Sequence, residues 1–197
     1  MTHFSNHMPT GTDMKKAVFL DRDGVITEDP PHYAHRVDQV RIIPGSGEAI
    51  RMLNEWGYLV IVVSNQSGIA RGYYQERDVA LFNEEMKRQL SLEGAHIDAI
   101  YYCPHHPDGI IEKFREVCPC RKPQPGMLIQ AAKQHKINLK ASFLIGDKFS
   151  DILAGNAVNC RTILVLSGHG KEEMHHLNGS TVPVAENLLN AVKKYII

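Results

Sequence analysis

The sequence predicts an α/β fold, a Rossmann-like three-layer sandwich with a mostly parallel central sheet. Three observations carry that expectation. Short apolar, β-branched runs recur along the chain, the clearest over residues 58–63, and such runs mark strands buried on both faces. Segments with helically spaced apolar residues separate them, and this alternation calls for right-handed crossovers and helices on both faces of the sheet. Polar clusters follow directly on the apolar runs, at Asp21/Asp23, Ser64/Asn65, Cys103/His105 and Asp147/Lys148. In open α/β sheets ligands bind outside the carboxyl ends of the strands, so one functional rim accounts for all four clusters.

The first strand is expected over 17–20, ending in Asp21-Arg22-Asp23-Gly24. Residues 27–43, with Pro30 and Pro31, read as a loop with a short extended piece. Pro44-Gly45-Ser46-Gly47 opens a helix carrying Ala49, Ile50, Leu53 and Trp56 at helical spacing, and Gly57 ends it. The second strand, 58–63, runs into Ser64-Asn65-Gln66-Ser67-Gly68. A longer helix spans about 75–92, with Val79, Phe82, Met86 and Leu90 on one face. The third strand covers 99–102. A polar loop then leads to Cys118-Pro119-Cys120-Arg121-Lys122-Pro123, and a helix from Pro125 to about His135 follows. The fourth strand is expected at 142–145, a short helix at 150–156, the fifth strand at 162–166 and a closing amphipathic helix at 185–195. No insertion after either of the first two strands is large enough for a separate cap domain.

With 197 residues, 43 % of them hydrophobic, the chain suits one full-sized domain, expected over 16–197 behind a disordered tail or extension at 1–15. Lys+Arg and Asp+Glu balance at 22 each, which argues against nucleic acid or a membrane surface as an electrostatic partner. No apolar run approaches the roughly 20 residues of a membrane span, and the start lacks the apolar segment of a secretory signal. Three of the four cysteines cluster rather than scatter, so a reducing cytoplasm is expected. The net charge of zero and a compact core lead to the expectation of a monomer.

The rim residues suit phosphoryl transfer. A phosphate monoester is cleaved in two easier steps if a carboxylate takes the phosphoryl group and water then removes it. Asp21 can be that nucleophile, while Asp23 can protonate the leaving oxygen and later activate water. The Ser64 hydroxyl and nearby amides can hold phosphoryl oxygens, and Lys122 can supply compensating charge. Asp147 can complete a magnesium site with Asp21, since Mg²⁺ takes a few carboxylates and keeps its waters. Asp151 can support that site or simply cap a helix. Cys103-x-His105 and Cys118-x-Cys120 bring together three thiols and one imidazole, a set suited to tetrahedral zinc; reduced loop cysteines are the plain alternative. Cys160 reads as a small core residue. His175 and His176 read as solvated surface. Gly45-x-Gly47 and Gly170-Lys171 lack the flanking residues of nucleotide-binding loops.

The set Asp-x-Asp-Gly, Ser64, Lys122 and Gly146-Asp147 resembles the haloacid dehalogenase phosphatase superfamily. Ser64-Asn65-Gln66-Ser67-Gly68-Ile69-Ala70-Arg71-Gly72, Cys103-Pro104-His105-His106-Pro107, Cys118-Pro119-Cys120-Arg121-Lys122-Pro123 and Gly146-Asp147-Lys148 resemble in particular the D-glycero-D-manno-heptose 1,7-bisphosphate phosphatases. The histidinol-phosphate phosphatases are related to these. The resemblance covers about residues 16–166. It implies a magnesium-dependent phosphatase removing the 7-phosphate of the sugar bisphosphate through an aspartyl-phosphate. Asp21 would be the nucleophile, Asp23 the acid/base and a magnesium ligand through its carbonyl, and Lys122 the phosphoryl stabiliser. Asn65, Arg71, Arg121 and Lys148 are the substrate-side candidates. The resemblance also implies a structural zinc on Cys103, His105, Cys118 and Cys120, with His106 as an alternative ligand.

Two departures touch specificity. Val25 stands where the family commonly has Thr, and the 29–33 loop, Asp29-Pro30-Pro31-His32-Tyr33, differs from the usual substrate-contacting loop. Histidinol phosphate or another small phosphate ester is the alternative substrate. A receiver-like domain storing aspartyl-phosphate and a zinc-dependent interaction module are the non-enzyme alternatives. The first places its acceptor after a middle strand, and the second leaves Asp21, Asp23, Ser64, Lys122 and Asp147 unexplained.

Overall fold

The computed structural model describes residues 14–31, 33–177 and 179–197. The tail expected at 1–15 therefore lies almost wholly outside the described residues, as does His32 of the 29–33 loop. Lys15 is already tied down: its N–H donates to the Lys136 carbonyl and its own carbonyl accepts from Asn138, both at 2.9 Å.

Among the described residues six strands form one parallel sheet: β1 (Ala17–Leu20), β2 (Leu59–Asn65), β3 (Ala99–Cys103), β4 (Phe143–Gly146), β5 (Arg161–Val165) and β6 (Val184–Ala185). Their order is β3-β2-β1-β4-β5-β6. Side chains alternate along a strand, so Val18, Leu20, Val60 and Val62 enter one layer and Ala17, Phe19, Ile61 and Val63 the other. The first layer is closed by α1 (Ser46–Glu55), α2 (Glu76–Leu92) and α6 (Leu188–Tyr195), through Ile50, Leu53, Phe82, Met86, Leu188 and Val192. The second is closed by α3 (Gly126–His135) and α4 (Phe149–Asn156), through Met127, Leu128 and Ala154.

Most expected elements lie within two residues of their predicted bounds. The closing helix differs. It starts at Leu188 rather than 185, because Ala185 pairs with Val165 as part of β6 and the Asn187 side chain caps the helix by accepting the Asn190 N–H at 3.0 Å. A two-residue edge strand carries too little periodicity to be read from sequence. A short helix, α5 (Gly170–Glu173), also lies in a stretch with no sequence expectation. The described residues of 27–43 form a loop with a brief extended pairing of Thr27 against Ile42 and a 3-10 turn at Val37–Gln39.

The chain builds outward from β1, to β2 and β3 on one side and to β4, β5 and β6 on the other. The crevice beyond the carboxyl ends of β1 and β4 is thus the switch point where such sheets bind ligands.

Candidate active site

Asp21 and Asp147 leave adjacent strands at that crevice. The β1–β4 ladder runs on to Asp21, whose N–H donates to the Ile145 carbonyl at 3.0 Å. Gly24 turns the chain away with φ +82°, and an added Cβ there would sit 2.3 Å from Asp147 Oδ2. Glycine is needed for both reasons. Asp147 is wholly buried; its Oδ2 accepts the His169 N–H at 2.8 Å, while its Oδ1 is buried with no hydrogen-bond partner.

Lys122 stands opposite, only 3 % exposed. Its Nζ meets Asp21 Oδ1 at 3.1 Å, Asp151 Oδ1 at 2.6 Å and the Val63 carbonyl at 2.7 Å. Those three acceptors match the three hydrogens of an ammonium. Asp151 uses its other oxygen to cap α4 through the Lys148 N–H at 3.1 Å. Asn65 sets the loop that carries Lys122: its amide donates to the Lys122 carbonyl and accepts the Lys122 N–H, both at 3.0 Å.

Three carboxylates, Asp21, Asp147 and Asp151, therefore bring oxygens within 4.8 Å of one another, with the Lys122 ammonium on Asp21 and Asp151 and the Lys148 charge acting on Asp147. The charge is not balanced, and the acidities respond. Burial, then the Asp21 charge, pushes the Asp147 carboxyl up to about 8. Burial pushes Asp151 up to about 6 against the pull of Lys122. Burial disfavours the Lys122 ammonium, but Asp151 and Asp21 outweigh it and raise its pKa. An orphaned oxygen in an excess of negative charge fits a hard divalent cation. Asp21 and Asp147 are the residues free to hold it, since Asp151 is committed to Lys122 and to the helix cap.

Asp23 stands outside that carboxylate group but lines the same cavity as Asp21. Its carboxylate is forked by the Arg22 guanidinium, Nε to Oδ1 and Nη2 to Oδ2, each at 2.9 Å. Gln66 Nε2 also donates to Asp23 Oδ2, at 2.9 Å, and to Ser64 Oγ at 2.8 Å. Tyr74 fixes Gln66 by donating to its Oε1 at 2.8 Å, and burial raises the Tyr74 phenol so that it keeps its proton. Asp21, Asp23, Ser64, Asn65, Lys122 and Lys148 all line one cavity of about 60 Å³. A roomier cleft of about 590 Å³ adjoins it across Tyr74, between residues 72–78 and 111–114.

The outer rim is cationic. Lys148 Nζ pairs with Asp29 at 3.1 Å, and His169 Nε2 reaches the same carboxylate at 3.2 Å. Arg71 Nη2 lies 3.0 Å from His106 Nε2, and burial followed by the Arg121 and Arg71 charges lowers the His106 pKa. Arg121 reaches back to the His105 carbonyl at 3.4 Å. Tyr33 holds φ +56° and packs against Tyr73, ring centroids 5.4 Å apart. Val25 is fully buried in the core, so the departure at that position changes packing; the nearby hydroxyl is that of Thr27, 3.3 Å from Asp23 Oδ1.

The second cluster forms at the β3 end. Cys103, Cys118 and Cys120 bring their sulfurs within 2.8–3.2 Å of one another, and His105 Nδ1 lies 3.4 Å from Cys120 Sγ. The cysteines are free thiols, so no disulfide explains their approach. Burial pushes the Cys103 thiol up and Cys120 up to about 11, whereas hydrogen bonds from Cys120 and Cys103 overcome burial and lower Cys118. The far nitrogen of His105 meets Glu116 at 3.2 Å, the carboxylate support expected behind a metal-bound imidazole. The donors fit a soft, four-coordinate metal. His106 is turned to Arg71 and stands outside this group. Cys160 is buried in the core with its thiol pushed up to about 12, and His175 and His176 are exposed.

The HAD-hydrolase-like family model matches residues 119–191. A D-glycero-β-D-manno-heptose-1,7-bisphosphate 7-phosphatase from Pasteurella multocida is 48 % identical over 156 residues, covering 79 % of this chain and 84 % of that one. The relative of the same name from Escherichia coli K12 is 46 % identical, covering 77 % of this chain and 80 % of its own. Among solved structures, a D,D-heptose 1,7-bisphosphate phosphatase from B. bronchiseptica, complexed with magnesium and phosphate, matches with TM-score 0.82 at 32 % identity, over 91 % of this chain and 97 % of that one. This chain belongs to the heptose bisphosphate phosphatase family of HAD-like hydrolases.

For this family member the structure brings Asp21, Ser64, Lys122 and Asp147 to one crevice, with Asp23 forked on its wall, and brings all four expected zinc ligands to another point. Arg71, Arg121 and Lys148 sit on the rim. The Asn65 amide is spent on the Lys122 backbone. Arg22, Gln66, Tyr74 and His169 have no role assigned from the sequence, and Asp29 enters there only as part of the 29–33 loop. The local signal for Arg22 is its place between two aspartates, beside the carboxylate that it forks.

Proposed function

We propose that this HAD-family phosphatase hydrolyses the 7-phosphate of D-glycero-D-manno-heptose 1,7-bisphosphate, using magnesium and an aspartyl-phosphate intermediate. The carrying observation is the Lys122–Asp21 contact at 3.1 Å beside the buried Asp147, in a chain whose relatives bear that name. Lys122 and the Arg22 N–H both engage Asp21 Oδ1, which leaves Oδ2 to attack phosphorus. Asp23 donates a proton to the departing sugar oxygen and then takes one from the water that cleaves the acyl phosphate. Ser64 and Lys122 hold phosphoryl oxygens. Asn65 positions Lys122, while Arg71, Arg121 and Lys148 meet the anionic sugar. A magnesium ion held by Asp21, Asp147 and the Asp23 carbonyl would neutralise charge on the transferring group.

A zinc ion on Cys103, His105, Cys118 and Cys120 is structural in this reading, ordering a polar loop with little apolar surface to bury. No helix among the described residues is long and apolar enough to cross a membrane. The reading includes a cytoplasmic, monomeric enzyme with one domain over 16–197, which the free cysteines and neutral charge balance support.

The test is phosphate release with magnesium against both heptose 1,7-bisphosphate anomers, histidinol phosphate, fructose 1,6-bisphosphate and p-nitrophenyl phosphate. A preference of about a hundredfold in kcat/KM for one heptose anomer, roughly 2.7 kcal/mol, is expected, with Asp21→Asn inactive throughout. A flat profile overturns the substrate. Turnover by Asp21→Asn at the wild-type rate overturns the nucleophile.

A further inference from the structure

We infer that Arg22, held by helix α2, is the positioning residue that aims Asp23 at the leaving group. The inference rests on Asp23 being the general acid. Arg22 is 2 % exposed and among the largest fully enclosed side chains of the protein. A buried guanidinium is costly unless its donors are used, and here they are. Nε and Nη2 fork the Asp23 carboxylate at 2.9 Å each, Nη1 donates to Asn83 Oδ1 at 3.1 Å, and the guanidinium carbon lies 4.3 Å from the centre of the Phe82 ring. A planar fork fixes both the distance and the tilt of the carboxylate, which an ammonium cannot do.

Asn83 explains itself only through this contact. Asn is a poor helix interior residue, yet it stands buried on the inner face of α2 beside Val79, Phe82, Met86 and Leu90. A leucine there would pack as well against those neighbours and would leave Nη1 without a partner. The chain Phe82/Asn83–Arg22–Asp23 therefore ties a helix 61 residues away in sequence to the Asp23 carboxylate on the cavity wall. Gln66 braces the same carboxylate from the Ser64 side. The Arg22 guanidinium meets Asp23 and Asn83 and acts on the leaving group through Asp23.

A residue that only stabilises the fold would affect all substrates alike. One that aims a general acid matters most where the leaving oxygen most needs a proton. The experiment measures kcat/KM for wild type, Arg22→Lys, Asn83→Ala and Asp23→Asn on a series from p-nitrophenyl phosphate to phenyl phosphate to a sugar phosphate, with melting curves alongside. Asp23→Asn is expected to lose about a hundredfold or more on the sugar phosphate and much less on p-nitrophenyl phosphate. Arg22→Lys should follow the same slope, losing about tenfold on the sugar phosphate against about twofold on the activated ester. Adding Arg22→Lys to Asp23→Asn should steepen the dependence no further. Equal losses across the series in a folded Arg22→Lys overturn the inference; should that variant not fold, Asn83→Ala decides by the same comparison. If Asp23→Asn itself shows no leaving-group dependence, the reading of Asp23 as acid fails, and the inference with it. A slope for Asp23→Asn but none for Arg22→Lys or Asn83→Ala removes the inference alone.

Discussion

Replacing Asp147 by Asn should stabilise the metal-free protein while removing its response to magnesium. The Asp147 carboxyl, buried beside Asp21, is pushed up to about 8, against about 3.9 in an unfolded chain. Between those values the folded protein holds a proton that the unfolded chain has lost, so stability falls as pH rises through this window and the full penalty stands above it. At about 1.4 kcal/mol per unit, the penalty at pH 7 is on the order of 4 kcal/mol. Asn keeps the shape and can still accept the His169 N–H, but it carries no charge to bury. In a protein of this size the variant should melt roughly 10 °C higher at pH 7 without divalent ions, and the Asp147 share of the pH dependence between 5 and 8 should be gone. Magnesium at about a hundred times its dissociation constant should add about 2.7 kcal/mol to wild type and nothing to Asp147→Asn. The assay is thermal melting of the zinc-loaded protein after dialysis, because a chelator would strip the cysteine site as well. A metal-free wild type whose melting temperature is flat from pH 5 to 8, or an Asp147→Asn that melts lower at pH 7, would refute the reasoning.

Two further outcomes follow from the contacts. Cys118→Ser should lose bound zinc by elemental analysis and several kcal/mol of stability, because a structural zinc contributes folding energy directly, while turnover per folded molecule changes little; unchanged melting would contradict the structural role. Asn65→Ala removes both hydrogen bonds that clip the Lys122 backbone and should cost about 2 kcal/mol, with kcat falling more than KM rises, as read from denaturant melts and steady-state kinetics; a pure KM effect would instead assign the Asn65 amide to substrate.

Much of the crevice was legible because the signals are local. Each apolar strand and the carboxylate, hydroxyl or thiol that ends it are neighbours in the chain, so parallel topology alone gathers Asp21, Ser64, Cys103 and Asp147 to one edge. The Cys/His cluster was legible because its pairs are separated by single residues. The reading was blind where a residue's meaning depends on a remote partner. Asp151 looked as much like a helix cap as a metal-site residue, and it is a cap that also buries the Lys122 charge. Val25 drew attention as a missing hydroxyl, but its side chain faces the core.

The layering, the strand ends and the residue types suited to phosphoryl transfer and to a soft metal follow from the sequence alone, through periodicity and donors set close along the chain. Tertiary structure alone decided how those groups are held. The Asn65–Lys122 clip spans 57 residues and the Arg22–Asn83 contact spans 61. Whether a buried charge is paired, forked or left with an orphaned oxygen is a property of such long-range meetings, which no local pattern of residues encodes.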